Sequence, residues 1–243
     1  NFKIIFIMLN YILNLPSFLL RKYKSKKISF SLTSIDLLIS YIFRNKRKGI
    51  FIDIGCNHPV YNNNTYLLYK KGWRGINIDL DEKSINLFNT FRKSDLNIKQ
   101  AISSKAEEVD LYFYHNKSPI NTINKDLVNF HKTKPKQIKK IETKTLNSII
   151  MKTPFANEKI DFMNIDVEGH ELNVLKGFDL KKYSPTIIVI EYLDLNVKKL
   201  EITNFNLQNI INSEIYKYMI NNNYTLVNWI HSDLVFVNNN YRD

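Results

Sequence analysis

The densest group of chemically active side chains lies in the sequence DFMNIDVEGHE, residues 161–171. A short apolar run ends there in Asp166, and Glu168 and His170 follow at alternate positions. This spacing predicts a buried strand that ends in an acid and passes into a helix through Glu168 and Gly169. Crowding at one strand tip perturbs pKa values, which proton transfer requires, so Asp166, Glu168 and His170 are candidate catalytic residues. The competing interpretation is that the glutamates only favour a helix N-terminus and that His170 is an exposed first-turn residue.

A metal centre is the alternative chemistry for the same acids. Asp166 and Glu168, with Glu191 at the end of another apolar run, would offer the oxygen ligands that Mg²⁺ prefers. A zinc site built on several cysteines is excluded, because Cys56 is the only cysteine. We expect no metal, and keep the divalent cation as the alternative.

A second group of residues has the character of a cofactor loop. The segment from Asp53 to Asn57, DIGCN, closes the first apolar run of the body, and Asp79 closes the next one 26 residues later. Gly55 would let a ligand approach the backbone, and an acid at Asp79 suits the hydroxyls of a ribose. Asp81 is better placed as a helix N-cap. The dinucleotide pattern G-x-G-x-x-G is absent, so the loop by itself is a weak signal.

Apolar runs alternate with helical patterns along the body, which predicts an α/β fold with a mainly parallel sheet. The runs typical of buried strands are 49–55, 75–80, 97–103, 159–166 and 185–192. The helical patterns are 64–71, 81–93, 168–176 and 204–221. Two late strands, 224–230 and 233–237, are too close for a crossover helix, so they must pair as an antiparallel hairpin.

The segment 109–144 departs from this alternation and is interpreted as an insertion beside the carboxyl edge of the sheet. It contains a predicted strand at 109–114, a short helix at 120–131 and a basic loop at 132–144 that leads into a strand. Ligands bind at that edge in open α/β folds, so the lysines of the loop either contact an anionic acceptor or are simply solvated.

The net charge of +12 is concentrated near the N-terminus, because residues 1–50 carry ten basic side chains and one acid. A nucleic-acid partner is not expected, since such proteins spread basic residues over the folded surface. The apolar run 4–20 precedes the basic cluster 21–27, and three interpretations stay open: a docked helix, an interfacial membrane helix or a signal anchor. Membrane contact through residues 1–27 would place the protein in the cytoplasm, at the inner face of the membrane. We expect an N-terminal segment, 1–47, and a catalytic domain, 48–243.

Five sequence blocks, in order over residues 48–192, resemble the FkbM-type family of S-adenosylmethionine-dependent methyltransferases. The blocks are FIDIGCN, NNTYLLYKKGWRGINID, the threonine and leucine of ETKTLNSII, DFMNIDVEGHELNVLKGFD and PTIIVIEY. The resemblance implies a class I methyltransferase fold of about seven strands with helices on both faces and a reversed last strand. It also implies S-adenosylmethionine as the cofactor.

The resemblance assigns roles to individual residues. Asp53, Gly55 and Asn57 match the family's cofactor loop, in which Cys56 replaces the usual alanine, and Asp79 matches the acid after the second strand. The remaining residues of the implied cofactor site are Thr65, Leu80, Ala101 and Ile102.

The expected function is O-methylation of a glycan, a lipid-linked sugar or a secondary metabolite, with Asp166 or His170 as the base. A nucleotide-sugar or dinucleotide enzyme, and a non-catalytic membrane-associated module with a degenerate fold, are the alternatives. Amino-methylation of nucleic acid is disfavoured, because the sequence lacks the N/D-P-P-Y/F motif.

Overall fold

The computed structural model describes residues 2–19, 27–115, 118, 120–130, 133–193 and 206–241. Its strands are β1 Ile50–Ile54, β2 Arg74–Asp79, β3 Leu96–Lys99, β4 Ala101–Ile102, β5 Glu108–Phe113, β6 Gln137–Lys144, β7 Phe162–Ile165, β8 Ile187–Glu191, β9 Tyr224–Ile230 and β10 Asp233–Asn238. Its helices are α1 Phe2–Leu19, α2 Ile35–Ile42, α3 Tyr66–Lys70, α4 Glu82–Phe91, α5 Lys125–Phe130, α6 Leu146–Ile150, α7 Glu171–Lys176, α8 Leu180–Tyr183, α9 Leu207–Asn212 and α10 Glu214–Asn221.

Seven strands form the central sheet in the order β3-β2-β1-β7-β8-β10-β9. The pairs among β3, β2, β1, β7 and β8 are parallel, whereas β10 runs antiparallel to both β8 and β9. The predicted α/β class, with its mainly parallel sheet and C-terminal hairpin, is therefore confirmed. Parallel pairing brings the carboxyl ends of β1, β2, β7 and β8 to one edge of the sheet.

Alternation along the strands divides the core between the two faces of the sheet. In β1, Ile52 and Ile54 pack in the larger apolar cluster, whereas Phe51 joins Phe162 in a second cluster. Successive side chains of a strand point to opposite faces, so a strand that is apolar at every position is covered on both sides. This burial fixes the strand ends from which the site is built.

The predicted strand at 97–103 is divided between two sheets. Gln100 separates β3 in the central sheet from β4, which belongs to a small sheet of order β4-β6-β5. The backbone N–H of Gln100 donates to the Asp79 carbonyl at 3.0 Å, and its side chain donates to the Glu142 carbonyl at 2.7 Å. Gln100 therefore satisfies backbone acceptors of both sheets where the chain passes between them.

Two other elements differ in extent from the prediction. The expected basic loop 132–144 is already strand β6 from Gln137 onward, and residue 132 lies outside the described residues. The described part of the helix expected at 204–221 is two helices, because Ser213 ends α9 and caps α10 by accepting from the Tyr216 N–H at 3.1 Å. Residues 204 and 205 lie outside the described residues.

The N-terminal residues fall into two unlike parts. In α2, Ile35 and Ile39 are fully buried in a cluster with Trp73. In α1, every side chain that the structure describes is exposed. Among the described helices, none combines the length and apolar character needed to cross a membrane. The predicted boundary between residues 47 and 48 falls just after the packed segment and stays a prediction.

Candidate active site

A cleft of about 830 Å³, open to solvent, lies where the carboxyl ends of β1, β2 and β7 meet. This is the edge at which open α/β sheets bind ligands. Nine of the twelve sequence-predicted site residues line it: Gly55, Asn57, Asp79, Leu80, Ala101, Ile102, Asp166, Glu168 and His170. The structure therefore brings the predicted catalytic and cofactor groups to one cavity.

Gly55 allows the ends of β1 and β7 to approach each other. Its φ is +77°, and a Cβ placed there would lie 1.6 Å from the Asp166 carbonyl oxygen. Its N–H donates to the Ile78 carbonyl at 2.8 Å, so the turn leaves β1 directly over the end of β2. Only glycine fits this close approach without displacing backbone.

Asp79 has the geometry of an acceptor for ligand hydroxyls. Its Oδ2 accepts from the Asn57 N–H at 2.9 Å and its Oδ1 from the Asp81 N–H at 2.8 Å, which fixes the carboxyl group and leaves further lone pairs. Burial raises the pKa of Asp79 to about 6, against the opposing effect of these two hydrogen bonds. With apolar contacts from Ile54 and Ile78, this carboxylate acceptor fits a nucleoside.

Three predicted cofactor residues, Asp53, Cys56 and Thr65, do not line the cleft. Asp53 is 1% exposed and accepts from Asn164 Nδ2 at 3.0 Å, Thr65 Oγ1 at 2.8 Å and Asn63 Nδ2 at 3.1 Å. Cys56 is buried in a small apolar cluster with residues of α4. Their side chains are buried beneath the predicted cofactor loop, where Thr65 Oγ1 donates to Asp53, so they support that loop from behind.

A buried cation completes that support. Arg92 is fully buried, pairs with Asp95 through Nε at 2.8 Å, and donates from Nη2 to Thr65 Oγ1 at 3.2 Å and from Nη1 to the Pro59 carbonyl at 3.3 Å. Burial raises the pKa of Asp53, and the Arg92 charge opposes that rise. Nothing in the sequence marks Arg92 as such a support, because an arginine at a helix C-terminus is normally solvated.

Three carboxyl groups meet at the ends of β7 and β8, and two of them, Asp166 and Glu168, line the cleft. Asp166 and Glu168 follow β7 and Glu191 ends β8, and one oxygen of each lies within 4.8 Å of the others. The sequence predicts Glu191 only as an alternative metal ligand, although an acid at the carboxyl end of a strand is itself a signal for the site. Oxygens this close either share protons or hold a hard cation. Glu191 Oε2 is buried without a hydrogen-bond partner among the described residues.

The pKa values of the three acids are driven upward. Burial, the largest cause, raises the pKa of Asp166 to about 7, while its hydrogen bond with Glu191 acts to lower it. Burial and then the Asp166 charge raise the pKa of Glu168 to about 9 and that of Glu191 well above its ordinary value. The hydrogen bond therefore has Glu191 as the protonated donor and Asp166 as the acceptor.

His170 is held at both ring nitrogens. The Asn173 amide lies 3.1 Å from Nδ1, and Ser103 Oγ lies 2.9 Å from Nε2. An amide NH₂ can only donate, so Nδ1 accepts, and the ring proton of neutral His170 sits on Nε2 facing Ser103. Burial lowers the pKa of His170, which favours this neutral form. Of the two bases that the sequence leaves open, the geometry favours Asp166.

The insertion holds the turn that carries Glu168. Glu168 and Gly169 both have left-handed backbone, with φ of +55° and +84°. Thr122 Oγ1 donates to the Glu168 carbonyl at 2.8 Å and Asn124 Nδ2 donates to the Gly169 carbonyl at 2.7 Å. A Cβ at Gly169 would lie 2.6 Å from Leu127 Cδ1 of α5. The insertion thus lies beside the carboxyl edge and fixes a strained turn, a role that no sequence signal indicated.

The fold and the cleft together define a Rossmann-like methyltransferase: a parallel sheet with a reversed strand pair, an acid after the second strand, and acids at the tips of β7 and β8. A family model described as the methyltransferase FkbM domain matches residues 53–226, which is more than half of the chain. The chain belongs to the FkbM methyltransferase domain family, as the sequence resemblance indicated. A search of the curated proteins found no match.

Proposed function

We propose that the protein is an S-adenosylmethionine-dependent O-methyltransferase that acts on a hydroxyl group of a neutral acceptor. The family supports the methyltransferase activity. The observation that carries the finer proposal is the carboxyl cluster of Asp166, Glu168 and Glu191, of which Asp166 and Glu168 line the cleft. S-adenosylmethionine supplies, when bound, a methyl group on a sulfonium that an acceptor oxygen can attack.

The residues at the Asp79 end of the cleft would hold this cofactor. The Asp79 carboxylate would accept from the ribose hydroxyls, and the Gly55 turn would lie against the ligand backbone without a side chain in the way. Leu80, Ala101 and Ile102, which also line the cleft, would contact the adenine ring. The fixed carboxyl group of Asp79 means that no reorganisation is needed when the hydroxyls bind.

Asp166 is the proposed general base. A base with a pKa near 7 is the most effective one near neutral pH, and Glu191 orients Asp166 by donating a hydrogen bond. His170 lines the cleft, and the contact of its Nε2 with Ser103 Oγ holds the ring in place there. The Asp166 carboxylate would take the proton that the hydroxyl loses as its oxygen bonds to the methyl carbon, while the carbon–sulfur bond of the sulfonium would break and leave a neutral thioether.

The proposed acceptor is an uncharged hydroxyl compound such as a glycan, a lipid-linked sugar or a secondary metabolite. Among the described residues that line the cleft, none is a lysine or an arginine. On β6, Lys140 pairs with Asp110 at 2.8 Å, and Lys139 lies over the Phe113 ring. The Asp166 carboxylate would repel an anion, and no cation of the described lining would pair with one, so we favour a neutral acceptor over the anionic one that the lysine-rich segment suggested.

The test is methyl transfer from methyl-labelled S-adenosylmethionine to panels of neutral sugars, uronic acids and sugar phosphates. We expect label in a neutral sugar, and at least a 100-fold loss of label transfer in Asp166→Asn with binding of S-adenosylhomocysteine kept within threefold. Label transfer undiminished in Asp166→Asn would refute the assignment of the base, and label only in acidic acceptors would refute the neutral class.

The metal alternative is tested in the same assay. Transfer that persists in EDTA would exclude a required cation at the carboxyl cluster. Transfer that is lost in EDTA and restored by Mg²⁺ would mean that the cluster is a metal centre and that Asp166 is a ligand. Binding of S-adenosylhomocysteine without transfer to any acceptor would favour the non-catalytic module.

A further inference from the structure

Helix α1 exposes a continuous apolar surface. Its ten described apolar side chains, Ile4, Ile5, Phe6, Ile7, Met8, Leu9, Tyr11, Ile12, Leu13 and Leu15, are each at least 40% exposed. The polar residues of the helix occupy positions 3, 10, 14 and 17. That spacing puts them along one side of an α-helix, so the apolar surface covers the rest of its circumference.

The fold does not cover this surface, although it covers the next helix. In α2, Ile35 and Ile39 have no exposure, whereas Ile5 and Ile12 of α1 are 57% and 61% exposed. A contiguous apolar surface of this extent on a protein marks a contact with a partner or a membrane. The docked-helix interpretation from the sequence is thus not what the described side chains show.

The charge that accompanies α1 indicates which partner it fits. Five of the seven residues at 21–27, directly after the helix in the sequence, are lysine or arginine, and residues 1–50 carry ten basic residues against one acid. An amphipathic helix next to a basic cluster is attracted to anionic lipid headgroups. A second copy of the same positively charged segment would be repelled.

We infer that α1 binds an anionic membrane surface, lying in the interface with its apolar side among the acyl chains. The polar positions 3, 10, 14 and 17 on one side of the helix would face the headgroups while the helix lies along the surface. This inference is independent of the proposed methyl transfer, and it would bring the catalytic domain to the membrane.

The test is vesicle co-sedimentation of the full chain with phosphatidylcholine vesicles, with and without 30% phosphatidylserine. We expect partitioning at least tenfold stronger with the anionic lipid, and a decrease when NaCl rises from 0.1 to 0.5 M. The double variant Ile5→Glu with Ile12→Glu should lose at least tenfold in partitioning. Both side chains are exposed, so the fold should persist, which circular dichroism checks.

The matched control introduces the same two negative charges at exposed residues outside α1. Ile138→Glu with Val227→Glu introduces two glutamates at residues of β6 and β9 that are 57% and 46% exposed. This variant should partition like the unchanged protein. The inference would be overturned if the α1 variant partitioned as strongly as the unchanged protein, or if the unchanged protein showed no preference for anionic lipid. The inference would also be overturned if the unchanged protein did not bind vesicles but formed dimers in sedimentation velocity, and if the α1 variant abolished those dimers.

Discussion

Replacing Glu168 by glutamine should stabilise the protein at neutral pH, because the native turn holds this carboxyl group where ionisation is unfavourable. The pKa of Glu168 rises from its ordinary 4.5 to about 9 in the fold, chiefly through burial and then through the Asp166 charge. At pH 7 the unfolded chain therefore carries an ionised glutamate, whereas the fold keeps it protonated. Ionisation of this glutamate at pH 7 therefore stabilises the unfolded state relative to the fold. A glutamine cannot ionise in either state, so it removes this contribution.

The magnitude follows from the pKa difference. Between 4.5 and pH 7 there are 2.5 pH units at about 1.4 kcal/mol each, so the upper limit is about 3.5 kcal/mol. Glu168 is only half-buried, and water screens part of this, so we expect a gain of about 1–2 kcal/mol in the free energy of unfolding. The folded pKa is raised, so the gain should be near zero at pH 4.5 and should grow as pH rises through 7.

The assay is urea unfolding of the unchanged protein and of Glu168→Gln at pH 4.5, 6, 7 and 8, in EDTA so that no cation occupies the carboxyl groups. The control is Glu158→Gln, which makes the same change at an exposed residue and should leave stability within about 0.5 kcal/mol at every pH. The reasoning fails if Glu168→Gln is less stable than the unchanged protein at pH 7 and 8, or if the difference does not change with pH.

Three further predictions concern the supports of the site. Thr122→Val should cut methyl transfer about 5- to 10-fold by releasing the Glu168 carbonyl, whereas Thr122→Ser should retain it; equal effects of the two would refute the hydrogen bond's role. Gly55→Ala should cost about 2–5 kcal/mol in urea unfolding, from the left-handed backbone and the contact with Asp166; a cost below 1 kcal/mol would contradict the close approach. Arg92→Met should lower the free energy of unfolding by about 3–5 kcal/mol, because it leaves the buried carboxylate of Asp95 unpaired. Lys93→Met, at the exposed neighbouring residue, should leave the free energy of unfolding unchanged. Similar losses in the two variants would show that the buried cation is not needed.

Local patterns were sufficient to predict the strand ends but not what holds them. Asp166 and Asp79 each follow an apolar run, so their meeting at one sheet edge follows from parallel pairing alone. Asp53 follows such a run as well, yet its side chain lies beneath the loop, because the alternation of a strand decides which face an acid takes. The sequence pattern alone therefore does not distinguish an acid that contacts the ligand from an acid that supports the loop from beneath.

Contacts between distant segments were the part that the sequence could not predict. Thr122 and Asn124 reach the Glu168 turn across more than forty residues, and Arg92 reaches Thr65 across 27. Such contacts depend on how the insertion and α4 pack, and no periodicity encodes that packing. The division of 97–103 at Gln100 is of the same kind, since it arises from acceptors on two different sheets.

Isothermal titration calorimetry with S-adenosylhomocysteine tests the central claim most directly, because it requires no knowledge of the acceptor. We predict binding of one molecule per chain, a loss of at least tenfold in affinity in Asp79→Asn, and no binding of NAD. The amide of Asp79→Asn cannot accept from both the Asn57 and the Asp81 N–H groups and from ribose hydroxyls as the carboxylate can. Absence of heat with S-adenosylhomocysteine, or binding of NAD in its place, would contradict the account.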